Sequence, residues 1–189
     1  MIASPVVLLL AAGRGERFTA SGATVHKLDA LLNGQPVLTH TLQAVQAAGL
    51  PWYLVRPEGF TRGMGESIAL GVNATSDADG WLILPADLPL IQPASLQRVA
   101  QALAETDVVV PHCQQQQGHP VGFGRRYLPA LLKLTGDRGA REIVRQARAE
   151  GRVQDLHLDD AGIVEDIDTL HDLDAAARLL ALRAYSTCQ

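Results

Sequence analysis

Cysteine is scarce in this 189-residue chain: Cys113 and Cys188 are the only two, too few for a disulfide framework and without metal-ligand spacing. That usage fits a reducing cytoplasm. Aromatic residues make up 4%, and positive charge is short as well, with 16 Lys and Arg against 20 Asp and Glu for a formal net charge of −4. The deficit excludes the whole-molecule attraction on which non-specific nucleic-acid binding depends. No apolar run approaches the roughly 18 residues of a membrane span. The apolar opening, residues 6–12, has no positive charge before it and meets Arg14, Glu16 and Arg17 at once, so it reads as a buried strand rather than a targeting segment. These absences predict a soluble cytoplasmic protein, monomeric or weakly oligomeric, with no nucleic-acid and no membrane partner.

What is present is aliphatic: 47% of residues are apolar, and the length suits one core-forming domain over residues 1–189. Residues 1–71 hold five basic side chains (Arg14, Arg17, Lys27, Arg56, Arg62) and four acidic ones, leaving the remainder at about −5. An anionic small molecule should therefore seek the N-terminal third. Apolar runs bounded by turn residues alternate with helical patterns, which predicts α/β layering on a largely parallel sheet. Expected strands are 6–10, 52–55, 81–84, 108–111, 153–158 and 163–167. Expected helices are 36–48, 67–72, 93–104, 125–134, 138–150 and about 170–183. No repeat or Pro/Gly/Ser-rich linker divides the chain, and the short glutamine patch 114–117 reads as a polar loop.

The first strand runs into Ala11, Ala12, Gly13, Arg14, Gly15, Glu16, Arg17 and Phe18. Small residues at a strand's carboxyl end let backbone N–H groups approach phosphate oxygens, and Arg14, Arg17 and Lys27 supply positive charge. It is neither a Walker loop nor a clean dinucleotide turn, and an ordinary loop remains an equal reading. Further on, Leu84-Pro85-Ala86-Asp87-Leu88-Pro89 sets an aspartate just past a strand between two prolines. Ligands bind there in open α/β sheets, and carboxylate oxygen is what Mg²⁺ prefers. A turn or cap aspartate is the plainer alternative.

Taken in order, Leu10-Ala11-Ala12-Gly13-x-Gly15-x-Arg17-Phe18, Lys27, Gly63-Met64-Gly65-Glu66-Ser67, Pro85-Ala86-Asp87-Leu88-Pro89, Gly118-His119-Pro120-Val121, Gly136-Asp137-Arg138-Gly139-Ala140-Arg141 and Asp166-Ile167-Asp168-Thr169 resemble the nucleotidyltransferases that attach a nucleotide to molybdopterin. The first motif is shared by many nucleotidyltransferases. The histidine-proline motif with Gly-Asp-x-Gly-Ala-Arg is narrower and resembles the molybdenum cofactor cytidylyltransferase branch. The resemblance implies a three-layer Rossmann-like α/β nucleotidyltransferase fold. It also implies Mg²⁺-dependent transfer of CMP from CTP to molybdopterin, with a transient molybdoenzyme client possible.

On that resemblance, Leu10, Ala11, Ala12, Gly13, Arg14, Gly15, Lys27, Ser67, Pro85 and Ala86 would bind the nucleotide. Arg17, Lys27 and Asp87 would be catalytic, Asp87 and Asp168 would hold the metal, and Gly65, Glu66, His119, Arg138 and Arg141 would bind the acceptor. Plainer alternatives stay open for several of these. Ser67 would point into the fold, His119 would be a structural residue, Asp137 an N-cap, and Asp166, Asp168 and Thr169 a turn and cap. The guanylyl-transferring branch usually has two glycines where this chain has Ala12-Gly13. The Ala12 methyl is expected to narrow the base pocket against a purine, favouring CTP over GTP. Other phosphorylated acceptors, or a non-catalytic cofactor-delivery role, are the alternatives.

Two departures from the family pattern stand out. Nine residues, 18–26, separate Arg17 from Lys27, several more than the short spacer of relatives. Residues 56–62 are too few for the helix and strand that relatives insert after the 52–55 strand. One edge strand-helix unit is therefore expected to be missing after Val55.

Overall fold

Five consecutive aliphatic residues make β1 (Val6–Leu10), whose centre is fully buried, as expected of a strand covered on both faces. The computed structural model describes residues 4–187; Cys188 lies outside them. After β1 come α1 (Glu16–Ala20), a hairpin of β2 (Leu31–Leu32) and β3 (Gln35–Pro36), α2 (Val37–Ala47), β4 (Trp52–Val55) and α3 (Met64–Ala74). The middle of the chain gives β5 (Gly80–Pro85), α4 (Pro93–Leu103), β6 (Val108–Cys113), β7 (Gln116–Gln117), β8 (Val121–Gly124) and α5 (Leu128–Leu132). The last elements are α6 (Arg141–Ala149), β9 (Val153–His157) and α7 (Leu170–Ser186).

The main sheet runs β4-β1-β5-β8-β6-β7, with β9 on the other side of β6. Strand β1 pairs in parallel with β4 and β5, and β6 in parallel with β9; β8 is antiparallel to both β5 and β6. Two antiparallel steps restore direction, so β4, β1, β5, β6 and β9 all point one way. Their carboxyl ends share one edge of the sheet, and β8 begins at that same edge. This is the α/β, mostly parallel architecture expected.

Strand alternation builds the layers. Val7, Leu9, Leu82, Leu84 and Val109 face one core with Val37 and Val45 of α2, Leu96 and Val99 of α4, and Ala176 of α7. Leu8, Trp81, Ile83, Val108 and Val110 face the other, with Ile68 and Val72 of α3, Leu131 of α5 and Ala147 of α6. Cys113 packs in the first core. The sheet ends at β4, and residues 56–62 contain neither strand nor α-helix, in keeping with the short segment after Val55.

Four expectations are corrected. Residues 163–167 are not a strand: a 3₁₀ turn (Ala161–Ile163) is closed by the Asp160 carboxylate accepting from the Gly162 N–H at 2.9 Å, and irregular chain follows. The helix expected from 138 starts at Arg141, because Gly136 and Gly139 adopt left-handed φ of 68° and 58° that break the helix before it begins. Asp137 is accordingly no N-cap; Ala140 holds that position. The helix expected over 125–134 is a 3₁₀ turn (Arg125–Tyr127) and the short α5, with proline in the first turn of α5. The run after Pro120 is strand β8, inserted between β5 and β6.

One polar tie joins β6, β9 and α6. Arg148 donates twice to Asp155, at 2.6 and 2.8 Å, and His112 Nε2 lies 2.7 Å from the same carboxylate. The Arg148 guanidinium, with help from His112, holds the Asp155 carboxyl well below the usual carboxylate range. A depressed carboxyl stabilises the fold above its unfolded pKa near 4, and that contribution disappears as pH falls through the folded value. The Asp155 side chain is 37% exposed, so screening limits Asp155→Asn to a cost of about 0.5–1 kcal/mol at pH 7. Urea unfolding of both proteins should show this gap at pH 7 and its progressive closure as pH falls below about 4.

Candidate active site

Because five strands end at one edge, the loops after β1, β5, β6 and β9 converge there, as does the segment leading into β8. Ala11 and Ala86 are buried struts. The Ala11 N–H bonds Val55 O and the Ala86 N–H bonds Leu10 O, each at 2.9 Å, and the Thr41 hydroxyl donates to Ala86 O at 2.7 Å. The loop ending β5 is thus tied to β1 and α2, and the Ile167 N–H donates to Asp87 O at 3.0 Å. That last bond carries residues 166–168 to Asp87.

A cleft of about 860 Å³ opens over this edge. Of the residues singled out in the sequence, Leu10, Ala12, Gly13, Arg14, Gly15, Arg17, Lys27, Ser67, Pro85, Asp87, His119 and Asp168 line it. Lys27 Nζ donates to Asp87 Oδ2 at 2.7 Å and to Asp168 Oδ1 at 3.4 Å, and Arg17 reaches Asp168 Oδ2 at 2.9 Å. The nine-residue spacer does deliver Lys27 to the aspartates. Burial alone would lower the Lys27 pKa; the adjacent Asp87 and then Asp168 outweigh it and hold the ammonium above its ordinary value, so it stays charged.

Asp166 joins Asp87 and Asp168, with one carboxylate oxygen from each within 4.8 Å of the others. Asp166 is the outermost of the three. Partial burial of its carboxyl, then the charges on Asp87 and Asp168, push it up to about 6. Three carboxylate oxygens at this spacing fit a hard divalent cation such as Mg²⁺ or Mn²⁺. The resemblance implies only Asp87 and Asp168 as ligands; the Asp-x-Asp spacing of 166 and 168 is the signal in the sequence for the third. Burial pushes His119 down from its ordinary value, with Asp87 only partly opposing, so its ring is neutral at pH 7.

Gly65, Glu66, Arg138 and Arg141 do not line the cleft. At the start of α3 the Gly65 N–H is taken by Gly136 O at 2.8 Å, and the Glu66 carboxylate accepts from the Arg62 N–H. Ser67 hydrogen-bonds Thr61 Oγ1 at 2.7 Å and Gly63 O at 3.1 Å, bracing the helix start. Arg138 and Arg141 are exposed. Thr61, Arg62, Gln116, Gln117 and Asp137 line the wall in their stead; in sequence the glutamines read as a plain polar loop.

The loop bearing Asp137 sits on α3 because glycines leave room for it. A Cβ on Gly65 would lie 2.6 Å from Thr135 O and 2.9 Å from Gly136 O. Gly65→Ala is therefore expected to cost about 1–3 kcal/mol through overpacking and to push Asp137 from the cleft wall. Thermal melting reads the first effect. A rise in KM for the second substrate larger than that for nucleotide reads the second.

A family model for the MobA-like NTP transferase domain matches residues 46–153, more than half of the chain. The chain belongs to the MobA-like NTP transferase domain family. It is 26% identical over 168 residues to the bifunctional protein GlmU of Azoarcus sp. (strain BH72), an alignment covering 75% of this chain and 35% of that protein. The chain thus spans about a third of the length of the curated relatives it matches. Rv0371c from Mycobacterium tuberculosis H37Rv superposes with TM-score 0.75 at 23% identity, covering 94% of this chain and all of that one, and it has also been solved in complex with manganese. A nucleotidyl transferase from Methanothermobacter (Mth528) gives TM-score 0.74 at 23% identity, over 93% and 99% of the two chains. CMP:2-keto-3-deoxy-manno-octonic acid synthetase complexed with CTP gives 0.62 at 15%, over 96% and 100%. At these identities the structural likeness speaks for the fold; with the family match, the MobA-like domain is a nucleotidyltransferase. Among the described residues no helix is long and apolar enough to cross a membrane.

Proposed function

We propose that this nucleotidyltransferase moves CMP from CTP to the terminal phosphate of molybdopterin and releases pyrophosphate. The observation that carries the reading is the meeting of the glycine loop, Lys27, Asp87 and Asp168 in one cleft at the carboxyl edge of the sheet. Backbone N–H groups of residues 12–15 cradle the triphosphate, and Arg14, Arg17 and Lys27 offset its charge. Asp87, Asp166 and Asp168 would hold a divalent cation such as Mg²⁺, which would supply neutralisation of the phosphate charge. An acceptor phosphate oxygen bonds to the α-phosphorus as the bond to the bridging β-phosphate oxygen breaks, and pyrophosphate leaves in line. The attacking oxygen is already anionic, so orientation and charge compensation suffice without a general base. Neutral His119 offers a hydrogen bond on the acceptor side, and Arg62, Gln116 and Gln117 also line the cleft.

Cytidine over guanosine is supported by alanine, in place of glycine, at position 12 of the cleft wall, and a fold neighbour complexed with CTP accords with it. Manganese in the Rv0371c complex accords with a divalent cation here. The test is CMP transfer to molybdopterin, followed by mass of the product, with CTP and GTP compared under Mg²⁺. A faster reaction with GTP overturns the cytidine assignment. Turnover only with a sugar phosphate or another phospho-acid overturns the acceptor.

A further inference from the structure

The two departures from the family pattern meet in space. The extended spacer before Lys27 delivers His26, and the shortened connection between β4 and α3 delivers Phe60. Their rings stack with centroids 6.4 Å apart and planes 24° apart. Just past the spacer, Asp29 pairs with Arg56 of the shortened connection at 3.2 Å, and the Arg14 guanidinium lies over the Phe60 ring, 5.9 Å from its centroid. His26 in turn grips the glycine loop. Its Nδ1 accepts the Leu28 N–H at 3.2 Å, which leaves Nε2 as the protonated nitrogen, and Nε2 donates to Gly13 O at 2.8 Å.

That bond has a directional consequence. The Gly13–Arg14 peptide is trans, so its carbonyl and its N–H point opposite ways. Tying Gly13 O to His26 turns the Arg14 N–H away from the ring. Gly15, at φ +67°, lets the loop close on the imidazole, since a Cβ there would lie 3.3 Å from His26 Nε2. Neither His26 nor Phe60 lines the cleft itself; both act from behind its wall.

Resting on the nucleotidyl-transfer reading, we propose that His26 and Phe60 are positioning residues for the triphosphate. His26 fixes the Gly13–Arg14 peptide so that its N–H meets the incoming anion, and Phe60 keeps the imidazole and the Arg14 guanidinium in place.

The experiment measures the CTP Kd by calorimetry and the CTP KM and kcat on the full chain, with thermal melting as the control for folding. One lost hydrogen bond predicts that His26→Ala raises Kd and KM about 5–10-fold, with kcat changing less than about twofold. His26→Gln, whose side-chain amide nitrogen can take the place of Nε2, restores binding; His26→Asn, whose nitrogen falls short, does not. Phe60→Ala raises Kd about threefold, and combined with His26→Ala gives less than the product of the two effects, because both act through one ring. Should His26→Ala fail to fold, the Gln and Asn pair carries the comparison. Wild-type CTP affinity in His26→Ala, or equal rescue by Gln and Asn, overturns the proposal. A wild-type protein that binds no nucleoside triphosphate fails the nucleotidyl-transfer reading itself and takes this inference with it.

Discussion

Asp87→Asn is expected to lower nucleotide-dependent pyrophosphate release by about 10³-fold, the scale of losing one preorganised electrostatic contact together with a metal ligand. The side chain keeps its size, so the change is one of charge at a residue whose backbone is held by β5, β1 and residues 166–168. Lys27 loses the negative charge of its 2.7 Å partner and keeps only Asp168, at 3.4 Å, as an ion pair, which draws its ammonium from where it offsets phosphate charge. The loss belongs in kcat, with the nucleotide Kd moving less than about tenfold, because the glycine loop still provides the binding contacts. Asp168→Asn should follow Asp87→Asn closely, since it also releases Arg17. Asp166→Asn should be milder, because Asp166 is the outermost of the trio. Steady-state kinetics of the three variants decide the order. Retention of more than about a tenth of the activity in Asp87→Asn contradicts the account.

Asp160→Ala is the stability counterpart, with an expected loss of about 3 kcal/mol. Asp160 is 4% exposed. Its Oδ2 accepts from the Gln92 N–H at 3.0 Å and the Ser95 hydroxyl at 2.6 Å, and its Oδ1 accepts from the Gly162 N–H at 2.9 Å, with Arg183 at 3.7 Å. A carboxylate from the far end of the chain thereby satisfies donors at the start of α4, where Gln92 offers no side-chain cap of its own. Removing it leaves three donors facing a void. Asn, with one acceptor oxygen, should recover about half of the loss. Urea unfolding followed by circular dichroism measures both variants, and a cost under about 1 kcal/mol for Ala would show that water or a shifted backbone replaces the carboxylate. The same turn leads into Asp166 and Asp168, so Asp160→Ala is also expected to weaken Mn²⁺ binding.

Much of this scaffold is written in local patterns. Continuous aliphatic runs mark β1, β5 and β6 because both faces of those strands are covered, and the Ala11–Gly15 turn and Asp87 stand where such strands end. Strand β8 is harder to see. Gly122 lies against Val99 and Leu103 of α4, with Val99 Cγ1 3.4 Å from the position of a Cβ, so the strand gives up apolar side chains to let the helix approach and loses its sequence signature. The β2–β3 hairpin pairs two residues a side, too short for any period. Asp160 and Asp166 look like turn residues in sequence, and only the approach of α4 and of the β5 loop makes one a buried anchor and the other a member of the carboxylate trio. Gly65 and Glu66 stand among the acceptor residues the resemblance implies, but the 135–137 loop, brought in by tertiary packing, occupies the Gly65 N–H. His26 and Phe60 are 34 positions apart in the chain, and nothing short of the folded sheet edge brings them together.

The most direct measurement follows the label in CTP carrying ³²P at the α-position, incubated with Mg²⁺ and molybdopterin. The account predicts that label moves to the acceptor in step with pyrophosphate, that both stop without the divalent cation or the acceptor, and that no label stays on the protein. Nucleotide binding without transfer to any phosphorylated acceptor, or release of orthophosphate with the label left on CDP, would contradict nucleotidyl transfer as the work of this cleft.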